Sequence, residues 1–224
     1  MASKLCTYLK ASVVKKQVMA VTGLLLCGFL VSHLIGNCLI YVGSDAFNTY
    51  AHALTSNKLI YVAEAILAAI FFTHIGLAIK LTVENKKARP VQYYMKQKTG
   101  RGATFASSTM PYTGMLILVF LIIHLINFKF GPVYMTQIDG IEVRDLHKTV
   151  VLYFQSPLNV LWYVIAMIAL GIHVSHGFWS AFQSLGFSHP KYNCGLKLIS
   201  KLFAVVIALG YIALPIYCYL LGGK

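Results

Sequence analysis

The chain has 224 residues, of which 58% are hydrophobic and only 11% charged, and its mean hydropathy is +0.71. Water-soluble domains carry about 25% charged residues, so the composition excludes an ordinary soluble enzyme. A net charge of +13 invites a nucleic-acid reading, but no basic stripe accompanies a folded soluble module, and nucleic acid is excluded as a partner.

Five apolar runs follow one another, each near the roughly 20 residues that cross a bilayer as a helix. Helix I is expected over residues 18–42, after Lys15 and Lys16. It is too long for the apolar core of a cleavable signal, and no small-residue cleavage site accompanies it. It contains His33, Cys27 and Cys38. Helix II, over 59–81, contains Glu64 near its start and His74 further on. A basic stretch at 82–109 is too short to build a core of its own. Helix III, over 110–130, contains His124, and helix IV, over 158–182, contains His173 and His176. Helix V, over 198–221, has no histidine, and its Pro215 is positioned to kink it. Runs this long and continuously apolar read as helices, because barrel strands alternate over shorter stretches. The expected fold is an all-α integral membrane protein, a single domain over 1–224, with helices I–IV forming a four-helix bundle.

Charge orients this topology. Fourteen basic residues fall on the side of the N-terminus: Lys4, Lys10, Lys15 and Lys16, the seven from Lys80 to Arg101, and Lys191, Lys197 and Lys201. Five fall on the other side (Lys58, Lys129, Arg144, Lys148 and Lys224), mixed with acids. The positive-inside rule puts the N-terminus in the cytoplasm and the C-terminus outside, with anionic lipid attracting the basic side. The five cysteines form no C-x-x-C pair, which excludes a covalently attached haem and an ordinary zinc ribbon. Those in apolar runs read as small packing residues.

Ionisable groups inside a membrane are costly and mark functional sites. Helices I–IV each contribute at least one histidine. At about 1.5 Å of rise per residue, His33 and His124 lie in the outer half of the membrane, and His74 and His173 in the inner half. Two pairs at two depths, about 10 Å apart by the same arithmetic, are what two bis-histidine b-type haems need. Each iron takes one imidazole from either side of the ring, edge-on within a four-helix bundle. His173 is preferred to His176 because its face carries Ala166, Ala169, Gly177 and Ser180, small residues that let a flat macrocycle approach. His176 is then an alternate ligand, or a neighbour bonding a propionate. Tight helix packing is the competing explanation for such a stripe.

The strings KQVMAVTGLLLCGFLVSHLIGN (16–37), FFTHIGLAIKL (71–81), SSTMPYTGMLILVFLIIHLINFKF (107–130) and GIHVSHGFWSAFQSLG (171–186) resemble the cytochrome b subunits of succinate:quinone oxidoreductases, in the class with one five-helix anchor and two haems. The resemblance implies His33 and His124 as ligands of the outer haem, His74 and His173 as ligands of the inner one, and two haem b as cofactors. It implies a flavoprotein and an iron–sulfur subunit docked on the cytoplasmic side, and menaquinone or another quinone as substrate. Electrons would run between the iron–sulfur clusters and quinone by way of the two haems, in the cytoplasmic membrane of a prokaryote. One departure is that some fumarate reductases of the class place a transmembrane proton-transfer glutamate two residues before the helix IV ligand, where this chain has Gly171.

Lys15, Lys16 and Lys80 are candidate partners for inner-haem propionates. Glu64 is the candidate proton acceptor for quinol, with pairing to Lys58 as the plainer alternative, and Tyr61 and His52 are secondary candidates. Trp162, Tyr163 and Trp179 suit interfacial aromatic belts, and His147 and His189 suit solvated loops. Two rivals are a di-haem cytochrome b of a hydrogenase or formate dehydrogenase, and a haem-free transporter relaying protons through histidines. A third is a bare anchor. Against the transporter, no internal repeat is evident and no proline is expected to interrupt helices I–IV.

Overall fold

The computed structural model describes residues 11–88 and 104–221. Cys6, Lys4, Lys10, Arg89, Lys96, Lys98, Arg101 and Lys224 lie outside the described residues. Of the described residues 84% are helical, and five helices are long and apolar enough to cross a membrane.

In chain order the elements are α1 (Ser12–Cys38), which runs on through a 3-10 turn at Leu39–Tyr41, then α2 (Ser44–Ser56) and α3 (Leu59–Lys87). Helix α4 (Phe105–His124) continues into a π-helical turn at Leu125–Lys129. The strands β1 (Met135–Ile138) and β2 (Ile141–Arg144) form an antiparallel hairpin, with Met135 opposite Arg144 and Ile138 opposite Ile141. Its turn, Asp139-Gly140, takes positive φ at both residues, which suits a two-residue hairpin loop. The chain ends with α5 (Leu146–Tyr153), α6 (Pro157–Ser184) and α7 (Pro190–Leu221).

The long helices overrun their apolar cores. Helix α3 continues to Lys87, and α7 begins at Pro190, where proline suits a first turn. Helix α4 begins at Phe105 because Thr104 caps it, the Thr104 hydroxyl oxygen accepting from the Ser107 amide at 3.1 Å. Pro111 therefore lies inside α4, and the expectation that no proline interrupts helices I–IV fails. Hydropathy finds the apolar stretch, not the capped end.

The connections at one end of the spans are built structures. Asn48 in α2 is 1% exposed. It donates to the Asp145 carboxylate at 2.9 Å and accepts from the His147 amide at 2.9 Å. Asp145 also caps α5 by accepting from the Lys148 amide. These bonds tie α2, β2 and α5 into a cap over a core of Ile40, Phe47, Val151, Phe154, Tyr163 and Leu214. His147 is therefore a half-buried α5 residue with its ring 6.2 Å from Phe47, not a solvated loop residue. His189 is exposed.

Helix α6 is the hub. It packs on α7, α4 and α1, while α3 leans mainly on α1. The α6/α7 seam buries Ala166, Met167, Leu170, Val174, Ala204 and Ile207. Ala166 thus belongs to helix packing, the competing explanation for the small stripe on α6. Gly171 sits in the same seam, where an added Cβ would lie 3.0 Å from the Ala208 Cβ. A side chain at this position would have to push α7 away by a few tenths of an ångström. Outward-facing Val62, Ile66, Phe72, Ile165, Ile168, Val205 and Leu209 stay exposed, as a lipid-facing surface requires.

Candidate functional site

Four of the five expected histidines lie at two levels: His33 and His124 face each other, and His74 and His173 occupy matching seats on neighbouring helices. At the capped end, His33 of α1 and His124 of α4 face each other with ring centroids 6.0 Å apart and planes at 84°. Phe29 stacks on His33 at 5.2 Å, and Phe120 and Phe128 flank His124 at 5.6 and 5.3 Å. The Tyr163 hydroxyl lies 3.2 Å from Nδ1 of His124. Tyr163 is 6% exposed, so it is a buried partner of a candidate ligand and not a belt residue. Tyr211 of α7 lies with its ring 6.1 Å from His33 and donates to the Leu30 carbonyl at 2.8 Å.

Towards the other end, His74 of α3 rests on α1 and His173 of α6 rests on α4. The Thr22 hydroxyl lies 3.2 Å from Nδ1 of His74, and the Thr113 hydroxyl 3.2 Å from Nδ1 of His173. Gly23 and Gly114 lie under the same rings. A Cβ at residue 23 would stand 3.2 Å from Cε1 of His74, and one at 114 would stand 3.4 Å from Cε1 of His173. Helices α3 and α6 themselves pack little against each other. His176 is half-buried beside His173. Below it the α6 ladder is opened by Ser200, whose hydroxyl accepts from the Trp179 amide at 3.2 Å and donates to the Ser175 carbonyl at 2.6 Å.

The matching histidine seats reflect a sequence repeat. The pattern M-x-x-T-G-x5-F-L-x-x-H-L-I occurs at 19–35 and again at 110–126. Helices α1 and α4 are thus equivalents that run in the same direction, and so are α3 and α6, whose histidines occupy matching seats. The expectation of no internal repeat is corrected. The repeat is parallel, unlike the inverted repeats common in transporters. A contact between equivalent residues, His33 with His124, is the mark of a pseudo-two-fold relation. Eleven residues separate Thr22 from His33, and Thr113 from His124. That is roughly 16 Å of helix rise, more than the spacing read from the ends of the apolar runs.

The donor set discriminates between kinds of bound metal. Among the described residues no group of three or more His, Cys, Asp or Glu could hold a metal ion, so a closed four-ligand zinc site is not formed. Pairs of histidines instead suit a metal whose other positions a macrocycle fills. Two imidazoles on opposite sides of one metal, each through a bond of about 2 Å, have ring centroids on the order of 6 Å apart, which matches the His33–His124 spacing.

The remaining candidates separate. Glu64 pairs with Lys129, not Lys58, in an ion pair of which both members are partly exposed. Lys15 pairs with Glu84 at 2.6 Å, tying α1 to α3. Lys16 lines a cavity of about 410 Å³ with Met19, Asn85, Ser180 and Gln183. Tyr61 is exposed and His52 half-buried on α2, and neither touches the histidine sets. Trp162 is half-buried, its indole N–H inside the protein and unpaired among the described residues. Tyr153, in the cap, accepts from the Asn127 amide at 2.8 Å, and burial raises its pKa.

Fold and site define a multi-pass α-helical membrane protein with one facing histidine pair and two matching histidine seats between its spans. Over 191 residues it is 26% identical to the succinate dehydrogenase cytochrome b558 subunit of Bacillus subtilis (strain 168), an overlap covering 83% of this chain and 85% of that protein. No family model matches the chain, and no solved structure matches it.

Proposed function

We propose that this chain is the di-haem cytochrome b membrane anchor of a succinate dehydrogenase or fumarate reductase. The observation that carries the reading is the facing of His33 and His124 at metal-bridging distance, with the matching seats of His74 and His173 nearer the other end. The similarity to a subunit of that name over most of both chains supports it. The ligands are His33 and His124 for the outer haem b and His74 and His173 for the inner one, with His176 beside the latter.

Bound there, each haem b supplies a one-electron carrier within the bilayer. The chain supplies the rest. Helices α1, α3, α4 and α6 form the surrounding bundle and exclude water. Lys16, Ser180 and Gln183 at the inner cavity offer polar partners to propionates. The lysine-rich face, taken as cytoplasmic, receives an iron–sulfur subunit and, through it, a flavoprotein. Succinate gives up two electrons and two protons on becoming fumarate, and a quinone such as menaquinone takes up two of each on becoming quinol. Glu64, at the outer end of α3, is the proton acceptor we assign for the reverse passage.

The test is a reduced-minus-oxidised spectrum with a haem-to-protein ratio for the purified complex. Two b-haems per chain are expected, with loss of one in each of His33→Ala, His74→Ala, His124→Ala and His173→Ala, and retention of both in His176→Ala. Absence of haem from the parent would sink the reading and leave a transporter or bare anchor. A full haem complement co-purifying with a hydrogenase or formate dehydrogenase would move the protein to another complex.

A further inference from the structure

We propose that Thr22 and Thr113 are positioning residues that hold His74 and His173 in a single tautomer and strengthen both as metal donors. This rests on the haem reading above.

Each threonine hydroxyl has one proton to give. That proton is engaged by its own helix, since Thr22 donates to the Val18 carbonyl at 2.9 Å and Thr113 to the Thr109 carbonyl at 3.1 Å. Towards the imidazole the oxygen therefore accepts, and Nδ1, which also has the Met19 or Met110 backbone carbonyl within reach, is the nitrogen carrying the proton. Nε2 is left as the lone-pair nitrogen on both rings, as a ligand to iron requires. A hydrogen bond from the far N–H makes an imidazole a stronger donor. The glycine after each threonine leaves room for the ring, since a Cβ at residue 23 or 114 would press on Cε1. The same Thr-Gly pair recurs in both halves of the chain, each time on the helix beneath the histidine. The capped-end pair is held differently, with Tyr163 backing His124 alone.

The experiment is a redox titration and an EPR spectrum of the membrane-bound complex in Thr22→Val, Thr113→Val, Thr22→Ser and Thr113→Ser variants. A stronger donor favours the oxidised metal, so each valine variant is expected to raise the midpoint potential of one b-haem component and shift its EPR signal. The other component stays at its parental position. The serine variants, which keep the hydroxyl, return both readings to parental values. Tyr163→Phe should move the opposite component. Parental potentials and spectra in the valine variants overturn the proposal. So does a shift that serine fails to rescue, because packing and not the hydroxyl would then be responsible. If a valine variant loses the component outright, its serine partner decides by the same rule. A parent complex without haem overturns the functional reading itself, and this inference with it.

Discussion

Substituting Gly171 tests whether the α6/α7 seam, rather than an absent proton path, explains glycine at this position. A Cβ there would lie 3.0 Å from the Ala208 Cβ and 3.6 Å from the Ala204 carbonyl oxygen. Carbon pairs prefer about 3.5–4.0 Å, so the helices must separate. Overpacking of this kind costs about 1–3 kcal/mol, the expected loss for Gly171→Ala. Gly171→Glu adds an acid facing a seam where Ala204 is 3% exposed, for a further penalty of about 2.5–3.5 kcal/mol. The sum, roughly 3.5–6.5 kcal/mol, is a large part of a typical folding free energy. SDS-driven unfolding of the purified protein in mixed micelles, followed by helical circular dichroism, measures it. The partner variant Ala208→Gly opens the seam from the other side. In a double-mutant cycle it should recover most of the Gly171→Ala loss as a coupling energy. Parental stability in Gly171→Glu, or strictly additive losses in the cycle, would refute the argument.

Asn48→Ala should destabilise the cap by about 1–3 kcal/mol, because the buried His147 amide loses its partner; protease sensitivity of the 131–156 segment reports it. Ser200→Ala should cost less than about 1.5 kcal/mol, since the freed Trp179 amide and Ser175 carbonyl are i, i+4 and can pair directly; amide exchange at Trp179 should slow as the ladder closes. Glu64→Gln breaks the pair with Lys129 at a cost of about 0–1 kcal/mol in stability. If Glu64 takes quinol protons, quinol oxidation should still fall at least about a hundredfold. Unchanged turnover in Glu64→Gln would leave the residue as an ion pair alone.

The spans were legible because lipid demands long uninterrupted apolar helices, and intramembrane histidines stand out against such a background. Helix rise divides them between two levels, but counting from the ends of the apolar runs sets those levels too close together. The cap was not legible: α2, the hairpin and α5 are short, and bonds between residues 97 and 99 positions apart, from Asn48 to Asp145 and His147, leave no local pattern. Helix ends were misjudged where polar residues continue a helix, as at Lys87, or where a threonine cap precedes the apolar run, as at Thr104. Tyr163 was misread because a tyrosine near a helix end has the same sequence signature at an interface as beside a histidine. The repeat is written in the residues around the histidines and not in the depths of the histidines themselves.

The repeat also explains why the two histidine sets differ. Aligning α3 with α6 on His74 and His173 places Glu64 opposite Tyr163, each ten residues before its histidine. In the second half Tyr163 turns to His124. In the first half Glu64 turns instead to Lys129, and among the described residues no side chain hydrogen-bonds the His33 ring. One difference within a repeated pattern thus leaves His33 without the hydrogen-bond partner that His124 has and puts an ion pair at the capped end. The threonine seats, where both halves keep the same residues, remain matched. On the proposed haem reading the two histidine sets would thereby differ in donor strength, and unequal donors are what two carriers in series need to hold different potentials.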